Sequence, residues 1–153
     1  MLGARAHEHY GTLTLRDIET LVSDEAEKRG FSVEAFQSNH EGALIDFLQK
    51  EAGPVRGQPS TATEHEVHAS NGAGVAVGVI INPGAFTHSS YALHDALVDT
   101  KLPCVEVHLS NIKEREEWRR HSVTAPACIA QVSGKKEKGY VEAVEILAEK
   151  LRH

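Results

Sequence analysis

The spacing of apolar positions changes along this chain, and each change marks the start of a new element. Leu15, Ile18, Leu21 and Val22 share one side of a 3.6-residue period, which predicts an amphipathic helix opening at Thr14, with Asp17 as its capping partner. Gly30 stands where such a helix needs a left-handed residue to end. Phe31 to Phe36 then alternates, predicting a strand over 31–37. Ser38-Asn39-His40 reads as a turn and cap, and Leu44, Ile45 and Leu48 predict a second helix stopping near Gly53-Pro54. After Gly78 the run Val79-Ile80-Ile81 is continuously apolar, the mark of a strand buried on both faces, predicted over 77–82. Asn82-Pro83-Gly84 breaks it, and Thr87 to Ser90 offer caps for a helix from Tyr91 to Asp99.

The remaining third of the chain repeats that alternation. Pro103 to Leu109 predicts a strand whose period of two puts Glu106 and His108 on the same side. Lys113 to Arg120 reads as a short charged helix carrying Arg115 and Arg119 on one face. A last strand over 128–132 and a closing helix from Gly139 to Leu151 complete the pattern. Strands alternating with helices predict an α/β protein with a parallel sheet covered on both faces. In such sheets ligand sites form at the carboxyl ends of the strands, which is where Asn82 and His88 fall.

Composition narrows the classes. A chain of 153 residues with 41% apolar and 25% charged positions fits one ordinary globular domain. A net charge of −6 argues against nucleic acid as the main partner, and no apolar run reaches the roughly 20 residues of a membrane span. Met1 is followed by Leu-Gly-Ala-Arg, without the charged and apolar regions of a secretory leader, so a cytoplasmic protein is expected. Cys104 and Cys128 sit in apolar runs and are expected as reduced thiols. Between 53 and 74 the hydrophobic period vanishes into Pro, Gly, Ser, Thr and His, so a flexible insertion within the single 1–153 domain is expected there. Its Glu64-His65-Glu66-Val67-His68 has metal-ligand residue types but nothing to fix their geometry, and no metal site is predicted.

Taken singly, the polar residues leave their roles open. Glu106 and His108 read either as an acid–base pair or as a buried hydrogen-bonded pair. Arg115 and Arg119 read as an anion site or as a solvated face. Tyr10 reads as part of a mobile lid or of a frayed terminus.

Four stretches in order carry more information. Leu2-Gly3-Ala4-Arg5 with Tyr10-Gly11, Gln37 to Gly42, Ile81 to His88, and Glu106 to Asn111 followed by Arg115-Glu116 and Arg119 to Ser122 together resemble the type II 3-dehydroquinate dehydratases. The resemblance implies a flavodoxin-like doubly wound parallel sheet and a homododecamer assembled from trimers. It also implies dehydration of 3-dehydroquinate to 3-dehydroshikimate by anti elimination through an enolate, without metal or organic cofactor, in shikimate synthesis or quinate catabolism. It further implies Tyr10 as the base, its phenol pKa lowered by Arg5 and Arg115, and His108 as the acid, oriented by Glu106. Asn82 would hold the His108 region and a substrate hydroxyl. The backbone at Leu109-Ser110 would cradle the substrate carboxylate, His88 and Arg119 would bind hydroxyls, and Asp95 would face a neighbouring subunit's site.

The sequence also departs from the family. The apolar first strand and the Asn-Gly-Pro-Asn loop that precede Leu-Gly in the family are not seen, although that strand is central in a 2-1-3-4-5 sheet. Two strands would then lack a neighbour. The alternative expectation is therefore a truncated or non-catalytic relative that binds a polyhydroxy-carboxylate or only co-assembles.

Overall fold

The computed structural model describes residues 13–53 and 77–153. Helix α1 spans Leu15–Glu27 and begins with the predicted reciprocal cap. The Thr14 hydroxyl accepts from the Asp17 N–H at 3.3 Å, and the Asp17 carboxylate accepts from the Thr14 N–H at 2.7 Å. Helix α2 spans Glu41–Ala52, strand β1 Val79–Ile81, and a 3₁₀ turn follows over Gly84–His88. Helix α3, Tyr91–Thr100, is capped by Ser90, whose hydroxyl accepts from the Leu93 N–H at 2.9 Å. Strand β2 is Cys104–His108, strand β3 Ala130–Ser133 and helix α4 Lys138–Leu151.

The three strands are parallel and lie in chain order, with β2 in the middle. Every residue of β2 is buried, which its position requires, since it has strands on both edges and helices on both faces. Val105 and Val107 point into a core shared with Ile18, Val22 and Ala26 of α1 and Ala143, Val144 and Leu147 of α4. Cys104 packs on the opposite side with Leu48 of α2, Leu93 and Leu97 of α3, and Ile81. The doubly covered parallel sheet is the predicted one, and its alternation leaves Glu106 and His108 on the Cys104 side of β2.

Two predicted elements are not there. Phe31 to Gln37 forms no strand among the described residues, and Ser32 to Gln37 are exposed. The alternating pattern describes one segment and cannot supply a neighbour, and among the described residues β1 ladders only with β2. The segment is fastened instead by Phe36, stacked on Phe47 of α2 with ring centroids 4.5 Å apart. Lys113 to Arg120 is also not an α-helix but two 3₁₀ turns, Ile112–Glu114 and Glu117–Arg119, with extended backbone at Arg115 between them. The carbonyl of Arg115 accepts from its neighbour Arg120, side-chain Nε at 3.0 Å, while the Arg119 N–H goes to Glu116 at 2.8 Å. The i to i+4 ladder is thereby replaced by a side-chain bond and a tighter turn.

The end of β3 depends on a glycine. Gly134 has φ +79°, and a Cβ there would lie 2.8 Å from the Asn111 Cβ and 3.2 Å from its Cα. Gly30, at the end of α1, has φ +83° but open space around it. Gly30→Ala should therefore cost only the left-handed backbone penalty, about 1 kcal/mol. Gly134→Ala adds an overlap with backbone and should cost about 3 kcal/mol in urea denaturation. Equal losses for the two variants would refute the contact between the 134 turn and the loop after β2.

Candidate active site

The centre of the site is a carboxylate with no exposure to solvent. Glu106, in the middle strand, is 0% exposed, and an unpaired charge so placed would cost several kcal/mol. It is surrounded by donors. His108 Nε2 lies 2.6 Å from Oε1, and Gln131 Nε2 donates to the same oxygen at 2.7 Å. Thr87 and Ser122 donate to Oε1 at 2.9 Å each, and Thr124 donates to Oε2 at 2.5 Å. Burial pushes the Glu106 pKa upward, but the bonds from His108, Thr124, Gln131 and Thr87 outweigh it and hold the group at about 2. Glu106 is thus a carboxylate at neutral pH. Because a carboxylate only accepts, Nε2 of His108 carries its proton, and Nδ1 is the ring nitrogen left to meet a ligand.

The donors come from four stretches, and each is held in place locally. Thr87 is fully buried in the 3₁₀ turn after β1. That turn is laced to residues 121–123: the Val123 N–H donates to the Thr87 carbonyl at 2.7 Å, and His88 Nδ1 donates to the His121 carbonyl at 2.7 Å. His94 Nδ1 adds a bond to the Val123 carbonyl at 2.8 Å. Gln131 is the register partner of Glu106 across the β2–β3 ladder. Sequence reading assigned no role to Thr87, Ser122, Thr124 or Gln131 at this carboxylate. One signal was present for Gln131, an amide set inside the apolar run 128–132, which needs a partner once that run is buried.

The other candidate residues surround this pair at the carboxyl ends of β1 and β2. Asn82 follows β1; its Nδ2 donates to the Tyr140 hydroxyl at 2.9 Å and its Oδ1 accepts from the Gly84 N–H at 3.1 Å. Burial raises the Tyr140 pKa against the lowering effect of that Asn82 bond, so the phenol stays protonated. Leu109 is buried directly after β2, and the Ser110 carbonyl accepts from Ser133 at 3.1 Å while the same hydroxyl accepts from the Ile112 N–H at 3.1 Å. Arg115 Nη1 reaches the Ser110 hydroxyl at 3.4 Å. Although they do not share a helix face, both arginines meet Glu116, with Nε of Arg115 at 3.4 Å and of Arg119 at 3.2 Å from its carboxylate. The Arg119 contact is near enough for an ion pair but not aligned as a hydrogen bond. The Arg119 guanidinium also lies 4.0 Å over the Trp118 ring, whose edge meets His88 with centroids 5.4 Å apart. Asp95 is exposed on α3. Arg5, Tyr10 and the His65/His68 segment lie outside the described residues.

Cys104 and Cys128 are both free, with their sulfurs 3.4 Å apart. The contact with Cys128 and burial keep Cys104 a thiol well above its ordinary pKa. No helix among the described residues is long and apolar enough to cross a membrane.

Known proteins resemble this chain over most of its length. The family model described as "Dehydroquinase class II" matches residues 1–59 and 60–148. A 3-dehydroquinate dehydratase of Nitrobacter winogradskyi is 44% identical over 151 residues, covering 99% of this chain and 84% of that protein. One from Bacillus cytotoxicus is 45% identical over 150 residues, covering 98% and 88%. Among solved structures, the type II dehydroquinase from Propionibacterium acnes superposes with a TM-score of 0.79 at 32% identity, over 97% of this chain and 88% of that one. The parallel sheet with helices on both faces matches the flavodoxin-like fold that the resemblance implied. By family match and by fold, this chain belongs to the class II dehydroquinases.

Proposed function

We propose that this chain is a 3-dehydroquinate dehydratase, a hydro-lyase that removes water from 3-dehydroquinate to give 3-dehydroshikimate. The observation that carries this reading is the buried Glu106–His108 pair on β2, the middle one of the described strands, in a chain of this family. Anti elimination through an enolate needs a base for the proton beside the ketone and an acid for the leaving hydroxyl. Tyr10 takes the first role, as a phenolate favoured by the permanent charges of Arg5 and Arg115. His108 takes the second: the C–O bond breaks, the electron pair leaves with oxygen, and Nδ1–H of the imidazolium supplies the proton that completes the water molecule. Glu106 keeps Nε2 protonated and the ring aimed.

The substrate contacts belong to the same proposal. Backbone N–H groups at Leu109-Ser110 receive the carboxylate, His88 and Arg119 receive hydroxyls, and Asn82 holds the hydroxyl nearest His108. The single domain with its insertion at 53–74, the cytoplasmic location and assembly as a dodecamer of trimers are further parts of it. Asp95, exposed on α3, is free to face a neighbour's site. The route served is either aromatic amino-acid synthesis or quinate breakdown. A second reading, a polyhydroxy-carboxylate binder without turnover, draws on the edge of β1 that has no strand partner among the described residues.

The first test is the ultraviolet absorbance of the conjugated enone formed from 3-dehydroquinate. Turnover is expected, with kcat lowered by about 10³-fold in Tyr10→Phe and in His108→Ala. Wild-type protein that binds quinate-like ligands but gives no absorbance rise would replace the dehydratase reading with the binding one.

The charge on Glu106 also ties stability to pH. Its folded pKa of about 2 lies below the ordinary 4.5, so its contribution is complete above pH 4.5 and is lost as pH falls from there through 2. The integrated effect is on the order of 3 kcal/mol. In urea denaturation between pH 6 and pH 3, the stability gap between wild type and Glu106→Gln should narrow as acid is added. Parallel curves for the two proteins would contradict the assigned carboxylate.

A further inference from the structure

We propose that Gln131 is a positioning residue for the acid of the reaction: its amide occupies a lone pair of Glu106 Oε1 and so sets how firmly that oxygen holds the proton of His108. The proposal rests on the dehydratase reading only for its effect on rate. The contact itself is a matter of geometry. Gln131 Nε2 is 2.7 Å from Oε1, and His108 Nε2 is 2.6 Å from the same atom. A carboxylate cannot donate, so the amide must present its NH₂ to it, which fixes the Gln131 orientation.

The amide differs from the other donors around Glu106. Thr87, Ser122 and Thr124 are hydroxyls within 2.8 to 3.3 Å of one another, and each has a single proton that can turn from one acceptor to the next. Gln131 has no such choice, because the β2–β3 register sets it opposite Glu106. It is therefore the fixed, neutral competitor with His108 for one oxygen. An oxygen already holding one strong hydrogen bond is a poorer acceptor for a second cationic donor. With Gln131 in place, the imidazolium is less tightly held by Glu106 and gives up its Nδ1 proton more readily. Without it, Oε1 keeps only His108 and the two reorientable hydroxyls of Thr87 and Ser122 as donors, the imidazolium is more strongly stabilised, and proton donation becomes harder.

The titratable groups on neighbouring elements leave this effect distinct. On β2 itself, Cys104 is held as a neutral thiol by Cys128 and by burial. On α4, Tyr140 is held protonated by burial. The 3₁₀ turn carries His88, bonded to the His121 carbonyl, and the loop after β2 carries Arg115 and Arg119 with Glu116. None of these is among the groups bonded to Glu106.

The test is the pH titration of the His108 ring by NMR in the complete chain, with its resonances identified by their loss in His108→Gln. The probe is the proton alone, so no turnover is needed. Gln131→Met, of similar length but without a donor, should move the His108 midpoint upward by about half a pH unit. Gln131→Leu, a second side chain without a donor, should move it by a similar amount. In the enone assay, the alkaline limb of kcat should move in the same direction, with the kcat plateau below that limb down about twofold and KM within about twofold of wild type. A wild-type midpoint in either variant that keeps the wild-type melting transition would overturn the proposal. Shifted midpoints in a chain that shows no turnover in any form would uphold the role of Gln131 in the pair and reject the dehydratase reading.

Discussion

A negative charge sits at the centre of the sheet with no access to water, and the surrounding structure is arranged to make that tolerable. Glu106 lies at the midpoint of β2, the middle one of the three described strands. Burial alone would drive it neutral, or drive it out. Instead, stretches far apart in the chain supply donors to it: Thr87 from the turn after β1, Ser122 and Thr124 from the loop before β3, and Gln131 from β3. Satisfying this one group fixes the relative positions of the loops that surround it. Those loops carry His88, Arg115 and Arg119, so the order of the site follows from the satisfaction of the carboxylate beneath it.

What the sequence made legible depended on whether the cause was local. β2 was readable because a central strand buried on both faces writes its position into five consecutive residues. The pairing of Glu106 with His108 was readable for the same reason, since residues two apart on a strand share a side. The cap on α1 was readable because Thr14 and Asp17 satisfy each other within one turn. Phe31 to Gln37 misled because a strand is a relation between two segments, and alternation describes only one of them. Lys113 to Arg120 misled because a helix is lost when a side chain, here that of Arg120, takes a carbonyl the ladder would use. The hydroxyl donors to Glu106 were illegible because they are separated from it by 16 to 19 residues, and nothing in Ser122, Thr124 or Thr87 announces an acceptor so distant.

The charges at the mouth of the site differ in kind from the one beneath. Arg115 and Arg119 converge on Glu116, and Arg119 also stacks on Trp118. Guanidinium groups stay charged at any accessible pH, so they offer an anionic ligand a constant field. Arg119 is partly exposed, and Glu116 more so, so their pairing is screened by water and can be exchanged for a ligand oxygen at little cost. Glu106 beneath them is the reverse: dry, strongly bonded and held as a carboxylate. The binding and proton-transfer roles proposed above thus fall to groups with opposite relations to solvent.

Strand register is what joins these two layers. A slip of one residue between β2 and β3 would turn Gln131 to the opposite face and bring Val132 or Ala130 opposite Glu106, removing a fixed donor from a buried charge. The register is held just beyond the ladder. Ser133 bonds the Ser110 carbonyl and the Ile112 N–H, and the Gly134 N–H bonds the His108 carbonyl at 3.1 Å, while Gly134 lies so close to Asn111 that a methyl group would collide. These contacts include Ser110, which Arg115 also reaches and whose backbone is the proposed carboxylate cradle. The residues that lock the sheet are therefore the ones that would touch the substrate. Loosening the 110–112 and 133–134 crossing would weaken the fold, the buried pair and the ligand contacts together, because each depends on the same alignment of two strands.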